Sequence, residues 1–428
     1  MRQPKIGLAL AGGGPLGAIY EVGALCALEE AIGGLDFTAC DAYIGVSAGG
    51  FIAAGLANGM TPRQLCAAFI SNTAEAPDRF DPAELLLPAW HEFGERLRLL
   101  PGLLSEAARE LLEGRSRLST LERLGRVLPT GLLSSERFGA ALTRVFDEPG
   151  RSNDFRQLRH RLVLVATDLD TGEAIPFGTD GWDHVPISRA VQASAALPGL
   201  FPPVEIDGRH YVDGALKKTL HASVLLDRGL DLLICLNPLV PYASDRRAPR
   251  EGRERHAKKL ASKLGRTAAL QPRIPRLVDG GLPLVLSQTF RSLIHSRLAL
   301  GMKGYERTHP QTDILLFEPD PRDAELFLAN TFSYSQRRRL AEHAYQATRE
   351  LLRERAAGFA PKFARAGLRL REDVLADREA RLLPAPGETR TELALRQLRG
   401  SLAILEARRD VAAAQRLAKT NKPERQQG

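Results

Sequence analysis

The 428-residue chain is 44% hydrophobic and 26% charged, with a formal net charge of +8, the profile of a globular protein with ample material for a large α/β core. Its four cysteines, Cys26, Cys40, Cys66 and Cys235, show no C-x-x-C spacing; they point to neither a zinc site nor a disulfide framework and suit a reducing compartment. No run approaches the roughly 18 apolar residues of a membrane span, and the apolar start Ile6 to Ala11 is too short for a signal peptide, so a cytoplasmic protein is expected.

In chain order, Lys5 to Leu10 reads as a buried strand that runs into Ala11-Gly12-Gly13-Gly14-Pro15-Leu16-Gly17. A helix follows, with Val22, Leu25, Cys26 and Leu28 expected on one apolar face. Ala42-Tyr43-Ile44 is a second strand. It turns through Gly45-Val46-Ser47-Ala48-Gly49 into a small-residue helix, Ala48 to Leu56, that Asn58-Gly59 can end. Those five residues match G-x-S-x-G. A serine on such an elbow is pushed out of the sheet by a strained turn, while the glycines let backbone and substrate approach closely. Ser47 is therefore the candidate nucleophile. The glycine loop can aim successive N–H groups into one concavity, as an oxyanion hole requires.

The same loop also matches G-x-G-x-x-G through Gly12, Gly14 and Gly17, the dinucleotide fingerprint. That motif needs an acidic residue closing the next strand to hold a ribose. Here the next strand ends in the serine elbow, and Asp36 and Asp41 precede it. A structural Gly-rich turn without a ligand is the third reading.

Residues 80–135 form a Leu/Arg-rich, Pro-punctuated stretch, expected as a helical insert or lid. Residues 158–178 return to strands. Residues 193–216 read ASAALPGLFPPVEIDGRHYVDGAL, in which Asp207-Gly208 looks like a hairpin tip. By itself Asp213-Gly214 reads first as an ordinary turn, and the other motifs reverse that reading. Leu230 to Asn237 is a further buried strand. Residues 245–279 are a basic, Pro/Arg-rich loop, followed by an amphipathic helix from Leu284 with Leu286, Phe290, Leu293, Ile294 and Leu298 on its apolar side and His295 at the surface. A strand at Ile314 to Phe317 and a closing helix at Gln336 to Arg355 come next. Beyond Pro384-Ala385-Pro386-Gly387 one more helix, Leu393 to Leu417, and a disordered end are expected.

Four ordered motifs resemble the patatin-like phospholipases: the glycine loop, the serine elbow, the strand segment Val163 to Gly172, and the Ala-Ser-x-x-x-Pro run that leads through Phe-Pro-Pro to Asp213-Gly214-Ala215. The resemblance covers about residues 5–220 and implies a three-layer α/β/α sandwich whose central, mostly parallel sheet is flanked by helices, with a helical insert and a helical C-terminal extension. It implies a Ser-Asp dyad, Ser47 as nucleophile and Asp213 as general base, with oxyanion donors among Gly12, Gly13, Gly14 and Ala48, and with Gly17, Gly45, Gly49 and Gly214 completing the motifs. Burial without a nearby cation is expected to raise the Asp213 pKa. No metal or organic cofactor is expected. The family usually carries Arg or Lys where this chain has Leu16, which weakens the expectation of a gripped phosphate head group.

The implied activity is hydrolysis of fatty acyl esters of lipids, namely phospholipid, lysophospholipid or neutral glyceride. A catalytically silent lipid-binding module of the same fold and an acyltransferase are the alternatives. The domain reading is a hydrolase domain over 5–330 and a basic extension over 331–428.

Charge divides unevenly. Residues 331–428 hold 21 Lys and Arg against 12 Asp and Glu, which leaves 38 basic and 39 acidic residues in the first 330 of the totals 59 and 51. Residues 245–279 alone carry 11 basic and 4 acidic side chains. Both basic segments suit peripheral contact with an anionic bilayer at the inner face of a membrane, at about 1 kcal/mol per cation; a solvated basic coat is the plainer reading. Interleaved aromatics and zinc spacing are missing, so nucleic acid is not expected as a partner.

Overall fold

The computed structural model describes residues 3–74, 87–89, 129–217, 220–243, 277–329 and 334–383, with positions 94, 98, 101 and 102. Most of the 80–135 insert, nearly all of the 245–279 loop, the expected helix at Leu393 to Leu417 and the chain end lie outside the described residues.

β1 (Ile6–Leu10) leads through the glycine loop to α1 (Gly14–Ala31) and the short β2 (Ile32–Gly33). β3 (Ala42–Val46) leads to α2 (Ala48–Ala57), α3 (Pro62–Leu65) and a π-helical turn at Cys66–Ser71. After α4 (Glu136–Phe146) come β4 (Arg161–Asp168), β5 (Ala174–Phe177), α5 (Ile187–Ser194) and a hairpin of β6 (Val204–Ile206) and β7 (Arg209–Asp213). α6 (Ser223–Leu226), β8 (Leu232–Leu236), α7 (Gly281–Thr308), β9 (Asp313–Phe317) and α8 (Ala324–Leu328) follow. α9 (Tyr334–Glu354), α10 (Ala356–Arg365), β10 (Arg369–Leu370) and α11 (Glu372–Ala376) end the described chain.

The main sheet runs β6-β7-β4-β3-β1-β8-β9, with β5 also paired to β4. β4, β3, β1, β8 and β9 are mutually parallel, β5 and β7 pair antiparallel with β4, and β6 pairs antiparallel with β7. Parallel strands need cover on both faces, so these strands are apolar at nearly every position. Alternate residues serve opposite sides. Leu8, Leu10, Leu232, Ile234 and Leu236 pack toward α1, α2 and α9, whereas Ala9, Ala11, Leu233 and Cys235 pack toward α6 and α7. The sheet with its two helical layers is the three-layer sandwich that the motifs implied.

The apolar face assigned to α1 needs correction, because this helix is buried nearly all round. It is wedged between the sheet and α9, and a Cβ on Gly23 would stand 2.4 Å from the carbonyl oxygen of Ala341. α9 thus belongs to the same core as the glycine loop. Its buried Arg349 donates to the carbonyls of Val374 and Asp377, at 2.7 Å each, and so holds the segment of α11 in place.

α7 also departs from expectation. Leu298 is buried, but Leu286, Phe290 and Leu293 are 44%, 45% and 55% exposed, so the apolar residues do not form one core-facing stripe. His295 is not a surface residue: it is half-buried, with Nδ1 3.5 Å from a carboxylate oxygen of Glu318.

β4 acts as a ruler for the site. Val46, the last residue of β3, pairs with Val165, and Asp213, the last residue of β7, pairs with Ala166, the next position along β4. Residue 47 and residue 213 are therefore delivered to the same end of the sheet by two different partners of one strand.

Candidate active site

Ser47 stands where β3 passes into α2, at φ 54° and ψ −123°. That is left-handed space, which L-residues avoid and which persists at functional sites only when the surroundings hold it. The surroundings here are glycines. A Cβ on Gly49 would lie 2.5 Å from the carbonyl oxygen of Leu10 and 2.6 Å from that of Ala11; one on Gly45 would meet Gly50 Cα at 2.5 Å. The N–H of Ser47 donates to Ser194 Oγ at 2.8 Å, and Ser194 Oγ donates to the carbonyl of Val165 at 2.6 Å. Ser194 thereby ties the elbow to β4.

Asp213 is 3% exposed and lines the same cavity as Ser47, whose side chain acts on its carboxyl. Its Oδ1 also accepts the N–H of Ala215 at 2.8 Å. Its own backbone is fixed at both ends: the N–H donates to Ala196 and the carbonyl accepts from Thr167. Gly214 has no room for a side chain, since a Cβ there would stand 2.2 Å from the carbonyl of Val165. Burial pushes the carboxyl up to about 6, against the opposing pull of the Ser47 and Ala215 hydrogen bonds, and no cation acts on it. A carboxyl in that range can take a proton near neutral pH where an ordinary aspartate cannot.

α1 and α2 both begin at this point, so the positive ends of two helices converge beside Ser47. Among the described residues the N–H groups of Gly13, Gly14 and Ala48 have no protein acceptor, as expected of first-turn donors. All three residues line the cavity that contains Ser47 and Asp213. Gly12 does not line it; a Cβ there would stand 3.0 Å from Ser47 Cβ, so Gly12 leaves room for the Ser47 side chain. Gly17 closes the first turn of α1 by donating to Gly13 at 2.9 Å. Gly14, at φ 59°, supplies the left-handed residue of the loop.

The cavity measures about 760 Å³. Phe51, Phe69, Phe138, Leu197, Leu200 and Phe201 give it a largely apolar wall, with Phe51 edge-on to Phe69 at 5.6 Å and to Phe138 at 6.3 Å. A chamber of this size and lining fits a long acyl chain. No histidine lines it among the described residues. The aspartates weighed for a ribose have structural roles instead: Asp41 accepts the N–H of Ile6 at 2.7 Å, and Asp36 caps a turn through Thr38. No group of side chains fit to hold a metal occurs among the described residues.

Two residues were not assigned from sequence. Ser194 sits inside the Ala-Ser run of the resemblance, but its contact to Ser47 spans 147 positions. Arg291 shares the cavity-facing side of α7 with Leu284, Ser287 and Ile294; the only sequence sign was one cation in a helical stripe of smaller residues.

Comparison with known proteins places these features in a family. Uncharacterized NTE family proteins of Mycobacterium bovis and Mycobacterium tuberculosis are each 33% identical to this chain over 81 residues, 19% of it and 21% of theirs. The chain thus matches about a fifth of the length of these curated relatives. Among solved structures, VipD from Legionella pneumophila superposes with a TM-score of 0.37 at 18% identity, covering 82% of this chain and 67% of VipD. The type III effector ExoU of Pseudomonas aeruginosa gives 0.31 at 18%, covering 82% and 53%. The patatin-like phospholipase model matches residues 8–226, just over half of the chain, and spans the glycine loop, the elbow and the Asp213 turn. The chain belongs to the patatin-like phospholipase family.

Proposed function

We propose that this protein hydrolyses fatty acyl esters of lipids through an acyl-enzyme on Ser47, with Asp213 as its general base. One observation carries the reading: a serine in a strained elbow shares the wall of a large apolar cavity with a buried carboxylate. Asp213 accepts the hydroxyl proton as Ser47 Oγ attacks the ester carbonyl. The oxyanion is met by the N–H groups of Gly13, Gly14 and Ala48, each such donor being worth about 100- to 1000-fold in rate. Asp213 then protonates the departing alcohol, takes a proton from water, and the hydroxide releases the fatty acid from Ser47. All groups in these steps belong to the chain itself.

Substrate packed in an aggregate requires contact with a lipid surface. We place that contact at the first half of α7 and the turn before it, where Val278, Leu282, Leu286 and Leu293 are exposed at and beyond the end of the basic 245–279 segment. Peripheral binding at an anionic inner leaflet follows from that pairing of apolar and basic groups. No described helix is long and apolar enough to cross a membrane.

The test is to treat the wild type, Ser47→Ala and Asp213→Asn with a tagged fluorophosphonate and with nitrophenyl and lipid esters. Labelling and turnover lost in Ser47→Ala, with turnover also lost in Asp213→Asn, support the dyad. Equal behaviour of all three proteins overturns it, and lipid binding without turnover in the wild type marks a silent module.

A further inference from the structure

Asp213 and Arg291 are the only charged side chains among the described residues that line the cavity. Asp213 has a role in the proposed reaction; Arg291 has none. Its guanidinium lies 5.3 Å from the centroid of the Phe327 ring, and one nitrogen donates to the carbonyl of Val240 at 3.3 Å. An arginine carries five N–H donors. No carboxylate pairs with Arg291 among the described residues, and no further protein acceptor takes its remaining donors. Burial pushes the guanidinium pKa down with no acidic group opposing it. Arg291 also lines a small recess with Asp320 and Asp323, but neither carboxylate pairs with it: Asp320 accepts the N–H of Arg322, and Asp323 is engaged with His343 and the first turn of α8.

A cation held in an apolar chamber with no counterion among the described residues is unfavourable in the empty protein, and an anion of the ligand offsets that cost. In an uncleaved ester the acyl carboxyl is the scissile group and lies at Ser47. Arg291 lines the cavity from α7, whereas Ser47 and Asp213 reach it from the ends of β3 and β7. The anion that meets Arg291 must therefore come from the alcohol half of the substrate. Planar N–H donors suit phosphate oxygens.

We propose that Arg291 binds the phosphate of a phospholipid head group and so sets a preference for phospholipid or lysophospholipid over neutral glyceride. This rests on the acyl hydrolase reading. It also reassigns the phosphate grip to α7 after Leu16 had made it doubtful at the glycine loop; Leu16 and Arg291 line the same cavity.

The experiment has a binding arm and a kinetic arm. In the binding arm, full-length Ser47→Ala protein is titrated with dodecyl phosphate, dodecanol, laurate and inorganic phosphate, with and without Arg291→Met. Dodecyl phosphate affinity should fall about 10- to 100-fold in the Arg291→Met background, the scale of a charge-assisted hydrogen bond, with a much smaller change for dodecanol. Inorganic phosphate binding as tightly as dodecyl phosphate overturns a lipid head-group site, and a loss confined to laurate overturns it in favour of a fatty-acid site. In the kinetic arm, the ratio of kcat/KM for lysophosphatidylcholine to that for the matching monoacylglycerol should fall by a similar factor in Arg291→Met and recover in part in Arg291→Lys. An unchanged ratio overturns the proposal, as does an equal loss on both lipids with no change in binding, which indicates a packing role. A wild type that binds dodecyl phosphate through Arg291 yet cleaves no ester leaves this site standing and sinks the hydrolase reading.

Discussion

The hydroxyl of Ser194 accepts the backbone N–H of Ser47 at 2.8 Å and passes its own hydrogen to the carbonyl of Val165 at 2.6 Å. The strained residue is thereby braced by a side chain from α5. Ser194→Ala leaves the elbow N–H buried without a partner, which costs about 1–3 kcal/mol of stability. It also frees Ser47 to relax from φ 54°, and a misplaced nucleophile loses rate steeply. We expect kcat and the fluorophosphonate labelling rate to fall together by roughly 10-fold, with KM little changed. A variant that is less stable but labels at the wild-type rate would give Ser194 a purely structural role.

The Asp213 carboxyl, pushed up to about 6 by burial, makes two linked predictions. Catalysis needs it ionised, so kcat/KM should rise with pH through about 6 and then level off. For stability the sign runs the other way. The unfolded carboxyl titrates near 3.9, so the folded state binds this proton more tightly. The favourable contribution is complete below about pH 4 and is lost as pH rises through about 6. Asp213→Asn escapes that loss. Its stability relative to wild type should therefore improve between pH 4 and pH 8, by on the order of 2 kcal/mol in denaturant melts. A difference that does not change with pH would show that the site carries no raised carboxyl.

Two adjacent glycines should respond oppositely to alanine. At Gly49 a new Cβ meets the backbone oxygens of Leu10 and Ala11 at 2.5 and 2.6 Å, and backbone cannot step aside. At Gly50 the nearest atom is Leu164 Cδ2 at 3.4 Å, an ordinary contact with a side chain that can adjust. Gly49→Ala should abolish labelling and lower the melting temperature markedly. Gly50→Ala should keep both, helped by up to about 1 kcal/mol of helix propensity. Comparable damage from the two substitutions would mean that α2 does not approach β1 as described.

The His343–Asp323 pair should make part of the cavity wall pH-sensitive. His343 Nε2 lies 2.6 Å from Asp323, whose carboxylate also caps α8, the helix that carries Phe327. The hydrogen bond that His343 donates to Asp323 raises the His343 pKa, so the stabilisation is complete below about pH 6.5 and is lost as pH rises through the folded value. Thermal melts of His343→Gln should show a deficit against wild type at pH 6 that narrows by pH 9.

The elbow, the glycine loop and the Asp213 turn were legible in sequence because each is a local pattern whose backbone demands particular residues. Ser47 and Asp213 stand at ends of strands whose register on β4 brings them together, and the ordered motifs carried that information. What could not be read was what covers each face. Periodicity marked α1 as apolar on one side, yet α9, more than 300 positions along, covers its back through Gly23 and Ala341. Ser194 likewise meets Ser47 across 147 positions, and Arg291 meets Val240 across 51. On α7 the pattern placed Leu286, Phe290 and Leu293 with Leu298, but only Leu298 finds the core.

Those uncovered residues support the last prediction. Val278, Leu282 and Leu286 recur every fourth position and are 65%, 70% and 44% exposed, at the end of the cavity wall formed by Gly280, Leu284 and Ser287. Leu282 and Leu286 do not line the cavity, so replacing them leaves the reacting groups untouched. A glutamate on this face would oppose both burial in lipid and attraction to an anionic surface. The double variant Leu282→Glu, Leu286→Glu should lower the ratio of turnover on anionic phospholipid vesicles to turnover on a soluble short-chain ester by about 10-fold or more, the loss of two buried leucines. Vesicle flotation should show a parallel loss of binding that added salt does not restore. If the ratio holds and flotation is unchanged, α7 is not the face that meets the lipid.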